Sequence, residues 1–312
     1  MMSHSIAAVD YRLWESDPAE FATCLGNSFQ RYGFAVVAHH TLRESLIKSC
    51  LAGFMAFFAR PEPEKLRYRV PGGGGARGYT PFGVEAAKGA ELHDLKEFWH
   101  VGRELPVGDR YRAYMPDNLW PDTQPGFREQ VLELWEGFDR LGRELLSALA
   151  LHLGLPARWF DAATDHGNSI LRVIHYPPVT AGAAGVRAGA HEDINAITLL
   201  LGAEEAGLQV LDRDGCWLDI NPPAGSLVCN IGDMLQRLTN HVLPSTTHRV
   251  INPAPERAGF SRYSMPFFLH FNPDFEISSL PGCVSETRPD RYLEPITANE
   301  YLHQRLREIR LL

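Results

Sequence analysis

Three stretches of the chain hold the residues best able to do chemistry together: His191-Glu192-Asp193, Thr247-His248-Arg249 and Arg262-Tyr263-Ser264. Strand side chains alternate between faces, so a His-x-Asp triplet on a strand presents both groups on one side and sends Glu192 to the other. A second histidine brought in from another strand completes two imidazoles and one carboxylate on one side of a metal. That donor set suits non-haem Fe(II) and leaves coordination positions open for substrate and O₂. His191, Asp193 and His248 are therefore the candidate metal ligands. Arg262 and Ser264 also alternate onto a common face, where a planar fork of donors and a hydroxyl match a carboxylate. Asp193 and His248 are 55 residues apart and His248 and Arg262 are 14 apart, so folding must assemble the site.

A lone His-x-Asp arises by chance in many chains, but this one heads the run His191-Glu192-Asp193-Ile194-Asn195-Ala196-Ile197-Thr198-Leu199-Leu200. Gly207-Leu208-Gln209-Val210, Asn230-Ile231-Gly232-Asp233-Met234-Leu235 and His248-Arg249-Val250 follow, then Arg262-Tyr263-Ser264 with Pro266-Phe267-Phe268 behind it. In order and spacing, over roughly residues 168–274, this resembles the 2-oxoglutarate/Fe(II)-dependent oxygenases of the isopenicillin N synthase-like group. Asp94-Leu95-Lys96-Glu97 with Phe98 resembles the element these oxygenases carry before their central helix.

The resemblance implies Fe(II) held by His191, Asp193 and His248, with 2-oxoglutarate chelating the metal and its distal carboxylate on Arg262 and Ser264. It implies a cosubstrate contact from Tyr176, which precedes Pro177, and help from Asn230. The implied reaction uses O₂ to convert 2-oxoglutarate to succinate and CO₂ while oxidising, most often hydroxylating, a small organic substrate. Two other readings stay open. One is an Fe(II)/O₂ oxidase of the isopenicillin N synthase type, which does not use 2-oxoglutarate. The other is a jelly-roll binding protein without turnover. Succinate formation and O₂ consumption separate the three.

The elements that must position these residues are legible as patterns. Asp17-Pro18-Ala19-Glu20 reads as a capped helix start, with Phe21, Cys24, Leu25 and Phe29 on one face and Gly33 as the stop. Thr41-Leu42-Arg43-Glu44 reads as a capping box opening a second helix, which ends before Pro61. Phe127, Val131, Leu134, Phe138, Leu141, Leu145 and Leu149 recur every three or four residues and predict a long amphipathic helix, ended by Gly154 and Pro156. Strands are expected at 34–38, 170–176, 197–201, 207–211, 217–220, 226–231, 248–251 and 264–271, with Asp214-Gly215 as a hairpin turn. The tail over 297–312 reads as a helix with Tyr301, Leu302, Leu306 and Ile309 in a stripe.

Many short strands joined by turns mean a sandwich or barrel. The expected fold is α+β with a mainly β core, and the resemblance selects a double-stranded β-helix (jelly roll) flanked by N-terminal helices and a C-terminal helix. The expected division is an N-terminal helical region over 1–160, a jelly-roll core over 161–276 and a capping segment over 277–312.

The remaining features narrow the class. A net charge of −8 over 312 residues argues against a nucleic-acid partner or an anionic membrane surface, and a small-molecule substrate is expected. No apolar run reaches the roughly 18 residues of a membrane span. The first residues lack the basic and apolar regions of a signal peptide. Five cysteines without a CxxC pair fit a reducing cytoplasm. Pro71 followed by Gly72, Gly73, Gly74 and Gly75 is a glycine loop without the Gly-Lys-Ser/Thr of a phosphate cradle, and is expected to be mobile. Asp233 reads as a turn or supporting residue, and for Arg172 and His175 the readings are that one or both face substrate, or that they pack or face solvent. His39, His40, His100, His241 and His270 lack ligand spacing.

Overall fold

The computed structural model describes residues 6–72, 75–85, 93–122, 125–179, 185–201 and 207–308. Gly73, Gly74 and Ile309 lie outside the described residues, and with them the centre of the glycine loop and the end of the C-terminal stripe.

Short helix α1 (Leu13–Ser16) leads into α2 (Pro18–Tyr32), whose start is fixed as the sequence predicts. The Asp17 carboxylate accepts from Glu20 N at 3.1 Å, and Pro18 occupies the first turn. Gly33 ends it at φ 68°, where a Cβ would sit 2.1 Å from Thr246 Oγ1, so only glycine fits. Helix α3 (Glu44–Phe58) starts two residues later than a Thr41 cap would place it. Thr41 caps nothing; instead Leu42 is buried and its N–H donates to His40 Nδ1 at 3.2 Å, which holds the chain in a turn until Glu44. After α4 (Glu62–Lys65), the 26-residue α5 (Phe127–His152) runs under the core with its apolar stripe buried. Helices α6 (Asp161–Thr164), α7 (Asp233–Leu238) and α8 (Ala298–Glu308) complete the described helices.

The strands are β1 (Ala8–Asp10), β2 (Phe34–Ala38), β3 (Gly78–Thr80), β4 (Glu97–Gly102), β5 (Ile170–Tyr176), β6 (Ala188–His191) and β7 (Ile197–Leu201). They continue with β8 (Leu208–Leu211), β9 (Trp217–Asp219), β10 (Leu227–Ile231), β11 (His248–Val250), β12 (Arg262–Leu269), β13 (Glu276–Ile277) and β14 (Ile296–Thr297). Eight of them form one sheet in the order β1-β2-β10-β7-β12-β5-β4-β3, four form a second in the order β6-β11-β8-β9, and β13 pairs with β14. The N-terminal region therefore supplies more than helices: β1 and β2 extend one edge of the large sheet, and β4 and β3 extend the other.

The large sheet has two unlike faces. Phe267, paired with Leu199 and Leu171, points toward α5, where it stacks on Phe138 with centroids 5.3 Å apart and planes 6° from parallel. The period of two then turns Arg262, Ser264, Phe268, Thr198, Asn230, Arg172, Ile174 and Tyr176 to the opposite, inner face. Part of that face packs on the small sheet through Phe34, Val228, Ala188, Leu208, Val210, Ile220 and Val250, giving the two-sheet packing of a jelly roll. The rest of the inner face is the wall of the site. Tyr301 and Leu302 of α8 pack against the main core, so the C-terminal helix is docked. Among the described residues no helix is long and apolar enough to cross a membrane.

Candidate active site

His191 closes β6 and His248 opens β11, directly opposite it in the antiparallel ladder. Their rings lie 4.4 Å apart between centroids. Asp193 is not on a strand: it falls two residues past the end of β6, in the turn before β7. That turn is pinned by Asp233 N–H donating to Asp193 O at 2.8 Å and Gly232 N–H donating to Ala196 O at 2.9 Å. The convergence predicted from an alternating strand is thus achieved by a fixed turn.

The three side chains bring one ligand atom each to within 4.8 Å of one another. Asp193 Oδ1 lies 3.8 Å from His191 Nε2 and 3.9 Å from His248 Nε2. Each imidazole has its other nitrogen committed: His191 Nδ1 bonds to Gly189 O at 2.7 Å and His248 Nδ1 to Thr246 O at 3.1 Å. A carbonyl only accepts, so both Nδ1 atoms carry the proton and both Nε2 lone pairs face the centre. The His191 side chain is 38% exposed, yet its pKa is still depressed, by burial first and then by repulsion from His248.

Asp193 is held from behind. Its Oδ2 accepts from Thr198 Oγ1 at 2.6 Å and from Asn230 Nδ2 at 2.7 Å, leaving Oδ1 toward the imidazoles. Asn195 Nδ2 donates to Thr198 Oγ1 at 3.1 Å, so the hydroxyl hydrogen is available to the carboxylate. Burial alone would raise the pKa of Asp193, but the two imidazoles and these hydrogen bonds outweigh it and hold it below the usual carboxylate range. Two imidazoles with Nε2 toward the centre and one ionised carboxylate with fixed second contacts fit a divalent first-row ion.

Asn230 therefore spends its amide on the ligand carboxylate. Thr198 and Asn195 were not singled out from the sequence; a threonine in the apolar run 197–201 was the available signal. Glu192, also past the end of β6, is not among the clustered ligand atoms and accepts from Thr247 Oγ1 at 3.0 Å.

Arg262 and Ser264 start β12 on the inner face and are 4% and 5% exposed. Arg262 pairs across the ladder with Tyr176, with its guanidinium carbon 5.0 Å from the tyrosine ring centre. Thr198 and Asn230, which bond Asp193, lie on the same face, so the carboxylate ligand and the Arg262–Ser264 pair share one wall. Phe98, Ile174 and Tyr176 form an apolar patch on it.

The two undecided residues of β5 divide. Arg172 is on the inner face, its Nε bonded to His100 Nε2 at 2.5 Å, its Nη1 3.2 Å from Glu85, and its guanidinium over Phe98 and Phe268. His175 is on the other face, stacked on Tyr263 and bonded to Glu97 at 2.7 Å, away from the site. Asp233 begins α7 and lies 2.9 Å from Arg305 of α8.

A two-sheet β core with two imidazoles and a carboxylate at its rim, beside a buried arginine and serine, is the architecture of non-haem iron oxygenases. The model of the 2OG-Fe(II) oxygenase superfamily matches residues 167–271, and that of the "non-haem dioxygenase in morphine synthesis N-terminal" region matches residues 6–123. The 2-oxoglutarate-Fe(II) type oxidoreductase hxnY of Emericella nidulans is 34% identical over 281 residues, covering 86% of this chain and 78% of that protein. A crystal structure of a Caulobacter crescentus protein assigned to the 2OG-Fe(II) oxygenase family superimposes with a TM-score of 0.92 at 56% identity, covering 97% of this chain and 99% of that one. A full-length Neurospora crassa protein crystallised in complex with alpha-KG superimposes with a TM-score of 0.86 at 30% identity, covering 97% of this chain and 95% of that one. The chain belongs to the 2OG-Fe(II) oxygenase superfamily. It is an oxidoreductase that uses Fe(II), 2-oxoglutarate and O₂ and acts on a small molecule.

Proposed function

We propose that the protein hydroxylates a C–H bond of a small organic molecule, with His191, Asp193 and His248 holding Fe(II) and Arg262, Ser264 and Tyr176 seating 2-oxoglutarate. The observation that carries this reading is the convergence of Asp193 Oδ1 and two Nε2 atoms whose partner atoms are already hydrogen-bonded. Bound Fe(II) with 2-oxoglutarate supplies the oxidising chemistry: 2-oxoglutarate, O₂ and R–H give succinate, CO₂ and R–OH.

The chain's own residues do the rest. The Nδ1 carbonyl bonds fix both imidazoles in the ligating tautomer. Asp193 neutralises one of the two metal charges, and Thr198 and Asn230 keep its free oxygen aimed. Arg262 offers a forked donor to the distal carboxylate, Ser264 adds one hydroxyl donor, and the Tyr176 ring covers the guanidinium. Phe98 and Ile174 give that wall a dry patch, which strengthens each of these electrostatic contacts. Asn230 acts in this scheme on Asp193 rather than on the cosubstrate. The free thiols Cys24 and Cys216, both exposed, support a reducing, cytoplasmic setting.

The test is a panel of small acids, amino acids, peptides and nucleobases screened for substrate-dependent succinate formation. Nucleobases belong in it because the similar Neurospora crassa protein has been crystallised with alpha-KG and thymine. A compound that raises succinate and gains one oxygen atom supports hydroxylation. A product lacking added oxygen, with succinate still formed, replaces hydroxylation by desaturation or ring closure. Substrate-dependent O₂ uptake without succinate overturns the 2-oxoglutarate reading in favour of an oxidase.

A further inference from the structure

β6 carries His191 at its end and, among the described residues, lies at the edge of the small sheet, with β11 as its strand neighbour. Its ladder is irregular: His248 pairs with His191 but Val250 pairs with Ala188, so β6 has one residue more than β11 between those pairs. Such a bulge interrupts the regular bonding and leaves local backbone groups to find other partners. The outer edge of β6 is held by residues from far away in the sequence. Leu95 N–H donates to Val186 O at 3.0 Å, and Gly189 N–H, within the irregular stretch, donates to Asp94 Oδ1 at 2.9 Å.

Asp94 is 5% exposed and its carboxylate is divided between two donors. Oδ1 takes the Gly189 N–H, while Oδ2 accepts from Lys96 Nζ at 2.8 Å. Lys96 also lies 3.2 Å from Glu85 Oε2, and Asp94 N–H donates to Glu85 O at 2.9 Å, so both the lysine and the Asp94 backbone behind the carboxylate are held. Gly189 is bonded at both ends: its N–H goes to Asp94, and its carbonyl accepts Nδ1–H of His191 at 2.7 Å.

We propose that Asp94 is a positioning residue for His191: it fixes the bulged Gly189, whose carbonyl sets the tautomer and aim of the imidazole. This rests on the reading that His191 is an iron ligand. Without the carboxylate, Gly189 turns out of line, the carbonyl no longer holds Nδ1–H, and Nε2 loses its fixed direction. Asp94 touches neither metal nor cosubstrate in this scheme. Its effect appears in metal affinity and coordination geometry, and not in the seating of 2-oxoglutarate by Arg262.

The test compares Asp94→Ala, which removes the acceptor, with Asp94→Asn, which keeps an acceptor oxygen for Gly189 N–H. Both are titrated with Co(II) in place of Fe(II), following its visible absorption, with melting temperature and circular dichroism as measures of folding. Asp94→Ala weakens Co(II) binding roughly 10- to 100-fold and shifts the visible bands, while Asp94→Asn stays within about threefold of the unaltered protein. The KM for 2-oxoglutarate changes little in either. A folded Asp94→Ala protein with unaltered Co(II) affinity and bands overturns the inference, even if its melting temperature falls, because a mere strut leaves the metal untouched. Equal losses in both variants overturn it as well, since the retained oxygen then does not rescue. Where Asp94→Ala does not fold, Asp94→Ser, too short to reach Gly189, takes its place in the comparison. His191→Ala is run beside them: wild-type Co(II) affinity there overturns the ligand assignment itself, whereas a loss confined to His191→Ala overturns only the role of Asp94.

Discussion

Along β12, Met265, Phe267 and Leu269 face α5 and are 3%, 0% and 0% exposed, while Arg262 and Ser264 on the opposite face are 4% and 5% exposed. Depth does not distinguish the two faces; chemistry does. The helix-facing side chains meet apolar neighbours, as in the Phe138–Phe267 stack, and their burial stabilises the fold directly. A guanidinium at equal depth stabilises a fold less than an apolar group of its size would. One strand thus carries a face that holds the protein together and a face arranged to hold something else. β5 repeats the division, with Leu171 and Val173 fully buried toward the helices and Arg172, Ile174 and Tyr176 on the inner face.

The separation of roles is open to attack by substitution on either side. The largest effect belongs to the metal: Asp193→Ala or His248→Ala removes tight Fe(II) binding and all turnover, while the protein stays folded. Metal titration, succinate assay and thermal melting on the same preparations check it, and a variant that retains iron and activity breaks the assignment. Next come two changes of similar size and opposite kind. Phe267→Ala costs about 3–5 kcal/mol of stability in a denaturant titration. If it remains folded it binds Fe(II) normally. Arg262→Leu leaves stability nearly intact and raises the 2-oxoglutarate requirement by the equivalent of about 3–5 kcal/mol. If each affects the other's property as strongly as its own, the faces are not separate.

Asp233 lies on neither face, at the junction of the site with α8. Burial raises its pKa from 3.8 to about 6, with Arg305 pulling the other way. A carboxyl raised in the folded state contributes stability that is complete below about pH 4 and is lost as pH rises through about 6. Two pK units correspond to about 3 kcal/mol. The melting temperature of Asp233→Asn is therefore flatter between about pH 4 and about pH 6.5 than that of the unaltered protein. A parallel pair of curves would show that Asp233 titrates normally. The smallest effect is Ser264→Ala, which weakens 2-oxoglutarate by about 1–2 kcal/mol, one hydrogen bond to a charged group. A loss as large as that of Arg262→Leu would mean that the two residues act as a single unit.

The candidate ligands were legible because residue type and order suffice to name them, and the long helix because its apolar period is uninterrupted over 26 residues. What sequence did not show is contact between distant positions. Asp193 lies beyond its strand, held there by backbone bonds from 232 and 233 that no local pattern announces. Asp94 meets Gly189 across 95 residues, where the register of β6 is irregular. The second helix began late because a buried Leu42 and a bond to His40 prevailed over the capping potential of Thr41. β1 and β3 are three residues each, too short for alternation to register, and exist because the large sheet offers them an edge.

The most direct test is the yield of succinate per 2-oxoglutarate consumed, measured with Fe(II) and O₂ on the unaltered protein and on His248→Ala. One succinate for each 2-oxoglutarate is expected in the first and none in the second. O₂ consumption without succinate in the first, or undiminished succinate in the second, would contradict the assignment of His191, Asp193 and His248 as the iron site of a 2-oxoglutarate-dependent enzyme.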